Sequence, residues 1–166
     1  MECHDWWIHL FEYKDVLSLF QEMQSSLQKP NEVTFLNVLP AVTRAYLGAL
    51  DFGKWILAYI DRNMKEEGFT VNASLHTSII DMYSKCRSRD MAEQVFNALE
   101  TQSFSSWNAM IAGLVMHGLT DKAMTYFERV KKEGLKPDEI TFLGVLSACS
   151  HAGWVETANL YFDSMV

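Results

Sequence analysis

The chain carries one segment twice. KPNEVTFLNVLPA begins at Lys29 and KPDEITFLGVLSA at Lys136, an offset of 107 residues. The copies differ only where Asn31, Val33, Asn37 and Pro40 face Asp138, Ile140, Gly144 and Ser147. The same offset lays Phe20 over Phe127, and the similarity weakens there as Glu22 and Met23 meet Arg129 and Val130. A copied segment points to a repetitive architecture, because each copy folds by the same local rules. A period of 107 residues is too long for one supersecondary unit and implies a composite of three.

The smaller units emerge as helix pairs. In SWNAMIAGLVMH, Trp107, Met110, Ile111, Leu114 and Val115 recur at helical spacing, and Gly118 ends the run. A second helix follows from Asp121, with Ala123, Met124, Phe127 and Val130 on one face, and stops near Gly134 and Pro137. ITFLGVLSACSHA, Gly153 and WVETANLYFDSM repeat that layout. Upstream, ASLHTSIIDMYSKC pairs with DMAEQVFNAL, and VTFLNVLPAVTRAY, Gly48 and ALDFGKWILAYIDRN form another pair. The chain opens on a partial unit ending in DVLSLFQEMQSSL. No segment alternates as a strand does. A lone pair of short helices cannot bury its apolar face, so the pairs are expected to stack as an all-α solenoid. The chain starts inside a first helix and stops inside a second one at Val166, with no polar capping helix, which reads as a piece of a longer array or a reduced gene product.

Composition narrows the function classes. Apolar residues make up 49% and charged residues 21%, which excludes a disordered polyelectrolyte. No apolar run approaches the roughly 18 residues of a membrane span. The start MECHDWWIHLF has neither the basic head nor the apolar core of a signal peptide, and Glu2 and Asp5 fit a transit peptide poorly. Cys3, Cys86 and Cys149 are odd in number and far apart, which suits a reducing compartment better than a disulfide framework. Cys86 and Cys149 read as small buried apolar residues. The His and Cys residues show no CxxC or HExxH spacing, so no metal or other cofactor is expected. No phosphate-binding glycine loop and no nucleophile elbow is present, so the chain does not read as an enzyme. With 14 Lys and Arg against 21 Asp and Glu, a formal charge of −7 disfavours non-specific electrostatic binding of nucleic acid.

SWNAMIAGLVMHG with KEGLKPD, and ITFLGVLSACSHAGWVE, resemble the pentatricopeptide repeat (PPR) family, in particular its plant subclass of alternating long, standard and short motifs (the PLS subclass). The resemblance covers nearly the whole chain. It implies a partial repeat at 1–31, a long-type repeat at 32–72, a short-type repeat at 73–103, a standard repeat at 104–138 and a truncated long-type repeat at 139–166. The three complete units together span 107 residues, the offset found independently. The implied fold is a right-handed α-solenoid of about four and a half units with first helices on the concave side.

The resemblance also implies single-stranded RNA as partner, one repeat facing one base. In the family, the fifth residue of the first helix and the last residue of the unit read the base edge, and the second residue packs on its face. The base-reading pairs are then Asn108 with Asp138, similar to a uracil-preferring combination, and Thr77 with Ser103, a weaker purine preference. An amide offers donor and acceptor together, and a carboxylate accepts. Leu36 with Asn72, and Leu143, are spacers, because leucine cannot hydrogen-bond a base. The base-stacking positions are Val33, Ser74, Ser105 and Ile140; Ser105 departs from the apolar pattern. Lys131, Lys132 and Lys136 form one basic cluster, and Lys85, Arg87 and Arg89 another, both suited to phosphate contacts along one groove.

Other readings stay open. Asn108 suits a backbone cap near a helix start, and Asp138 suits the cap of the next helix, a role compatible with base contact. Trp107, Phe35 and Phe142 share one unit position and read as interior packing. Some long members of the subclass end in a deaminase-like domain with HxE and CxxC signatures. Neither is present, so a role in organellar RNA processing or C-to-U editing, in mitochondria or chloroplasts, is expected to be non-catalytic and to recruit editing-complex proteins. Two polar pairs at about 1–3 kcal/mol each total about 2–6 kcal/mol. Micromolar affinity takes roughly 8 kcal/mol, so weak binding is expected of this chain alone. The alternatives are a helical-repeat scaffold for protein partners and a truncated relic without retained function.

Overall fold

The computed structural model describes residues 15–45, 49–67 and 72–164. Glu2, Cys3, Asp5, Gly48 and Val166 lie outside them. Helix α1 covers residues 15–25. It is followed by α2 (Glu32–Ala45), α3 (Ala49–Glu67), α4 (Ala73–Lys85) and α5 (Arg89–Asn97). Helices α6 (Phe104–Met116), α7 (Thr120–Lys132), α8 (Glu139–Ala152) and α9 (Val155–Asp163) complete the order. The described residues contain no strand, and none of their helices is long and apolar enough to cross a membrane.

Each even-numbered helix opens on a side chain that accepts a hydrogen bond from the backbone three residues ahead. Asn31 accepts from the Thr34 N–H at 2.9 Å, Asn72 from Leu75 at 3.0 Å, Ser103 from Ser106 at 3.2 Å and Asp138 from Thr141 at 2.7 Å. These caps satisfy amides that a helix start leaves without intrahelical partners. Three of these helices, α4, α6 and α8, end alike. Ser88, Leu119 and Trp154 donate their N–H groups back to the carbonyls of Tyr83, Leu114 and Cys149 at 2.9, 3.0 and 2.9 Å. That closure requires a left-handed residue just before the donor, which is Arg87, Gly118 and Gly153, with φ of 58°, 68° and 71°.

Short turns make antiparallel hairpins, which stack side by side into a right-handed α-solenoid. Helices α2, α4, α6 and α8 form one layer in which neighbours run parallel. The His117 Nε2–H at the end of α6 donates to the Ser84 carbonyl at the end of α4. Gly113 permits that approach, since a Cβ there would stand 2.4 Å from Ser84 Oγ. Helices α5 and α7 of the other layer meet through side chains, such as Glu93 with Lys122 at 3.5 Å and Phe96 with Tyr126 at 5.6 Å between centroids. Closer spacing in the first layer than in the second curves the stack, with the even-numbered helices inside the curve.

The core runs between the layers. Trp107, Met110, Ile111, Leu114 and Val115 are all buried, as are Ala123, Phe127 and Val130, and Met124 packs against them. Phe35 and Trp107 are fully enclosed at equivalent positions, and Phe142 is half-buried against Phe127 with centroids 5.6 Å apart. Cys149 is buried, whereas Cys86 is only half-buried at the end of α4.

Candidate nucleic-acid interface

The first turn of each even-numbered helix sorts its residues by face. Residues three apart share a face of a helix, so the second and fifth positions lie together. Val33, Ser74, Ser105 and Ile140 are all exposed, with Val33 at 62% and Ile140 at 64%. The fifth positions Leu36, Thr77 and Asn108 are half-buried, and Leu143 is 64% exposed. The third positions turn inward: Leu75, Ser106 and Thr141 are buried.

Asn108 and Asp138 are brought together, from the first turn of α6 and the cap of α8. The Asn108 Nδ2 donates to both carboxylate oxygens of Asp138 at 3.1 Å. Thr141 Oγ1 lies 2.7 Å from Asn108 Oδ1 and 2.6 Å from Asp138 Oδ1. The Asp138 N–H donates back to that hydroxyl at 3.3 Å, completing a reciprocal cap. Burial by itself raises the Asp138 carboxyl; hydrogen bonds from the Thr141 hydroxyl and N–H, then from Asn108 and the Ile140 N–H, outweigh it and hold the carboxyl below its ordinary value.

An amide has two N–H groups and two acceptor lone pairs. Asp138 engages one Asn108 N–H and Thr141 one lone pair, which leaves one donor and one acceptor on the same amide. Asn108 lines a groove of about 360 Å³ between α6 and α8, together with Ala112, Met116, Ile140, Leu143 and His151 among others. This arrangement can hold the flat face of a ring against Ile140 and hydrogen-bond its edge. No Lys, Arg, Asp or Glu lines the groove.

Thr77 and Ser103 are not joined by a hydrogen bond among the described residues. The Thr77 hydroxyl donates to the Ala73 carbonyl of its own helix at 2.8 Å. Ser103 caps α6 and lies 3.3 Å from Ser106 Oγ. Ser74 and Ser105 are exposed beside them.

The two basic clusters occupy opposite ends of the hairpins rather than one line. Lys131, Lys132 and Lys136 lie where α7 passes to α8, the end that holds Asn108 and Asp138. Lys85, Arg87 and Arg89 lie at the turn from α4 to α5. At about 1.5 Å per residue, a first helix separates the two ends by about 20 Å. Lys85 pairs with Asp81 at 2.6 Å, Lys131 with Glu128 at 3.1 Å, and Arg89 with Asp90 at 3.3 Å. Lys132, Lys136 and Arg87 make no ion pair among the described residues. Those residues also contain no cluster of three His, Cys, Asp or Glu side chains suited to a metal.

Thr141 is absent from the sequence expectations, although it stands three residues after Asp138 just as Thr34 stands three after Asn31. That repeated spacing is the available signal.

Comparison with known proteins gives concordant results. A family model described as the PPR repeat family matches residues 102–151, and one described as the PPR repeat matches 74–104 and 140–166. A chloroplastic pentatricopeptide repeat-containing protein of Arabidopsis thaliana is 50% identical over 157 residues, covering 95% of this chain and 21% of its own. A mitochondrial one from the same plant is 43% identical over 152 residues, covering 92% and 21%. The chain thus spans about a fifth of the length of these relatives. Among solved structures, the pentatricopeptide repeat protein PPR10 in complex with an 18-nt psaJ RNA element superposes with a TM-score of 0.70 at 22% identity, covering 89% of this chain and 22% of that one. Through the matched repeats and these relatives, the chain belongs to the PPR repeat family.

Proposed function

We propose that this chain is part of a single-stranded RNA-binding solenoid in which Asn108 and Asp138 read one base, with uracil preferred. The observation that carries the reading is the Asn108–Asp138 pair, with Asn108 lining a groove whose wall includes the exposed Ile140. A base packed on Ile140 meets an amide with one donor and one acceptor free, which matches the adjacent N–H and C=O of a uracil edge. Thr77 with Ser103 is a weaker reading pair, because the Thr77 hydroxyl is already donated within its helix. Val33, Ser74 and Ser105 take the face-packing role in their units, and the two serines hold a base less firmly than Val33 and Ile140 do. Lys132 and Lys136 meet phosphates beside this site, with Lys131 released from Glu128. Lys85, Arg87 and Arg89 at the far end of the hairpins meet a strand only if it crosses the inner layer.

The unit boundaries at 1–31, 32–72, 73–103, 104–138 and 139–166, and the subclass of mixed long, standard and short motifs, belong to the same proposal. So does the biological setting. Relatives named as chloroplastic and mitochondrial support an organellar RNA target, in processing or C-to-U editing, with this chain selecting the site and other proteins supplying the chemistry. The uncharged groove and the formal charge of −7 favour a second reading, a scaffold for a protein partner such as an editing-complex component.

The test is an Asn108→Ala chain titrated with oligouridylate, oligocytidylate and oligoadenylate of equal length, followed by amide chemical shifts. Base reading requires wild type to prefer oligouridylate, with shifts at residues 108–116 and 138–147, and the variant to lose that preference. Equal response to all three oligomers in both chains removes the assignment and favours the protein-partner reading.

A further inference from the structure

We infer that Thr141, the third residue of α8, is a positioning residue that fixes how Asn108 presents its amide to a base, so that recognition by one repeat depends on the next. This rests on the base-reading role proposed for Asn108.

The amide of a free asparagine turns about its last side-chain bond, and its two ends carry opposite hydrogen-bonding character. Here both ends are constrained. The Asp138 carboxylate only accepts, so the nitrogen faces it, at 3.1 Å from either oxygen. The oxygen end then lies 2.7 Å from the Thr141 hydroxyl, whose hydrogen it shares with the carboxylate at 2.6 Å. Thr141 is 1% exposed, its hydroxyl accepts from the Asp138 N–H, and its backbone N–H is tied to the same carboxylate at 2.7 Å. The hydroxyl is therefore held in place by the cap that starts α8. Its single hydrogen has two acceptors within reach, Asn108 Oδ1 and Asp138 Oδ1, so it links amide and carboxylate as one unit. The outward donor and acceptor of Asn108 are left in a fixed order along the groove.

The neighbouring repeats lack this link. At the start of α6 the third residue is Ser106, whose hydroxyl donates to the Ser103 carbonyl at 2.8 Å and does not reach Thr77. At the start of α4 the third residue is Leu75, which has no hydroxyl, and the fifth residue of the preceding first helix is Leu36. Thr34 reproduces the cap with Asn31, at 2.9 Å from its N–H and 3.0 Å from its hydroxyl. The combination of an amide at the fifth position and a threonine three residues past the acidic cap thus occurs once among the described residues.

The experiment compares wild type, Thr141→Val, Thr141→Ser and Asn108→Ala, with the Asn108 side-chain amide protons followed by NMR and titrations against oligouridylate and oligocytidylate of equal length. Thr141→Val keeps the branched shape and loses the hydroxyl. It is expected to narrow the separation of the two Asn108 amide protons and to lower the preference for oligouridylate by about fivefold, the worth of one hydrogen bond. Thr141→Ser is expected to restore both. If Thr141→Val does not fold, Thr141→Ala takes its place. Full preference retained in the hydroxyl-free chain, alongside loss in Asn108→Ala, overturns this inference alone. Preference unchanged in Asn108→Ala overturns the base-reading assignment and this inference with it.

Discussion

The Asn108 amide nitrogen and the Asp138 carboxylate meet at 3.1 Å on both oxygens although the residues are 30 apart in the chain. Two parallel helices, α6 and α8, set that distance. The cap that begins α8 and the polar residue facing the groove are therefore one hydrogen-bonded system, and perturbing either end acts on both.

Acid should loosen this system. Asp138 is held below its ordinary carboxyl value, because the Thr141, Asn108 and Ile140 hydrogen bonds outweigh its burial. A carboxyl with a depressed folded value adds stability that is complete above its unfolded value, about pH 4. That stability is lost as pH falls through the lower folded value. Asp138→Asn keeps a capping oxygen without a titrating charge. The expected result, read from thermal midpoints, is that wild type loses its advantage over Asp138→Asn below about pH 4 and keeps it above. A pH-independent difference contradicts the assignment.

Gly113 of α6 packs directly against Ser84 of α4. A Cβ there would stand 2.4 Å from Ser84 Oγ and 2.6 Å from Ser84 Cβ. Gly113→Ala gains about 0.5–1 kcal/mol in helix propensity. It should lose about 1–3 kcal/mol to overpacking, for a net destabilisation. Ser84→Gly in the same chain should recover part of the overpacking loss. Urea denaturation of the two single variants and the double variant checks this, and additive effects would refute it.

Arg87 takes the left-handed conformation at the α4–α5 turn that Gly118 and Gly153 take at the corresponding turns, with φ of 58° against 68° and 71°. A side chain there costs about 1–2 kcal/mol. Glycine gives back part of that in unfolded-state freedom. Arg87→Gly should therefore raise stability by about 0.5–1 kcal/mol. The reverse change, Gly118→Ala, should lower it by a similar amount. A thermal midpoint that falls on Arg87→Gly would show a role for the arginine beyond the turn.

Pro40 sits inside α2, and its repeat counterpart Ser147 sits inside α8. Proline removes an intrahelical donor and crowds the carbonyl four residues back. Pro40 is exposed, so a replacement meets no core packing. Pro40→Ser should stabilise the chain by about 1–3 kcal/mol, with hydrogen exchange slowing in α2 before anywhere else. Unchanged exchange in α2 would mean the helix is already adapted to the proline.

Much of the architecture is legible along the chain. The apolar spacing of Trp107, Met110, Ile111, Leu114 and Val115 marks a buried helix face, and all five are buried. Gly118 and Gly153 mark two of the turns, and the copied segment marks the repeat. The cap residues are readable as well, because a cap acts over three residues. Less legible is what those caps touch. Thr141 reads as an ordinary third residue of a helix, and only its burial between Asn108 and Asp138 reveals its reach. The basic clusters look alike in sequence, yet one lies at the end of the hairpins that holds Asn108 and the other at the far end.

The repeat, the helix starts and stops and the choice of inward face were settled by the order of amino acids, because capping, turn closure and apolar periodicity act within a few residues of chain. Which polar groups meet was decided only by stacking. Asn108 lies in the first turn of α6, and Asp138 and Thr141 share the first turn of α8; they converge because α6 and α8 run parallel at a spacing fixed by their packed side chains. The uncharged character of the groove has the same origin, since its lining is drawn from both helices and neither segment alone displays it.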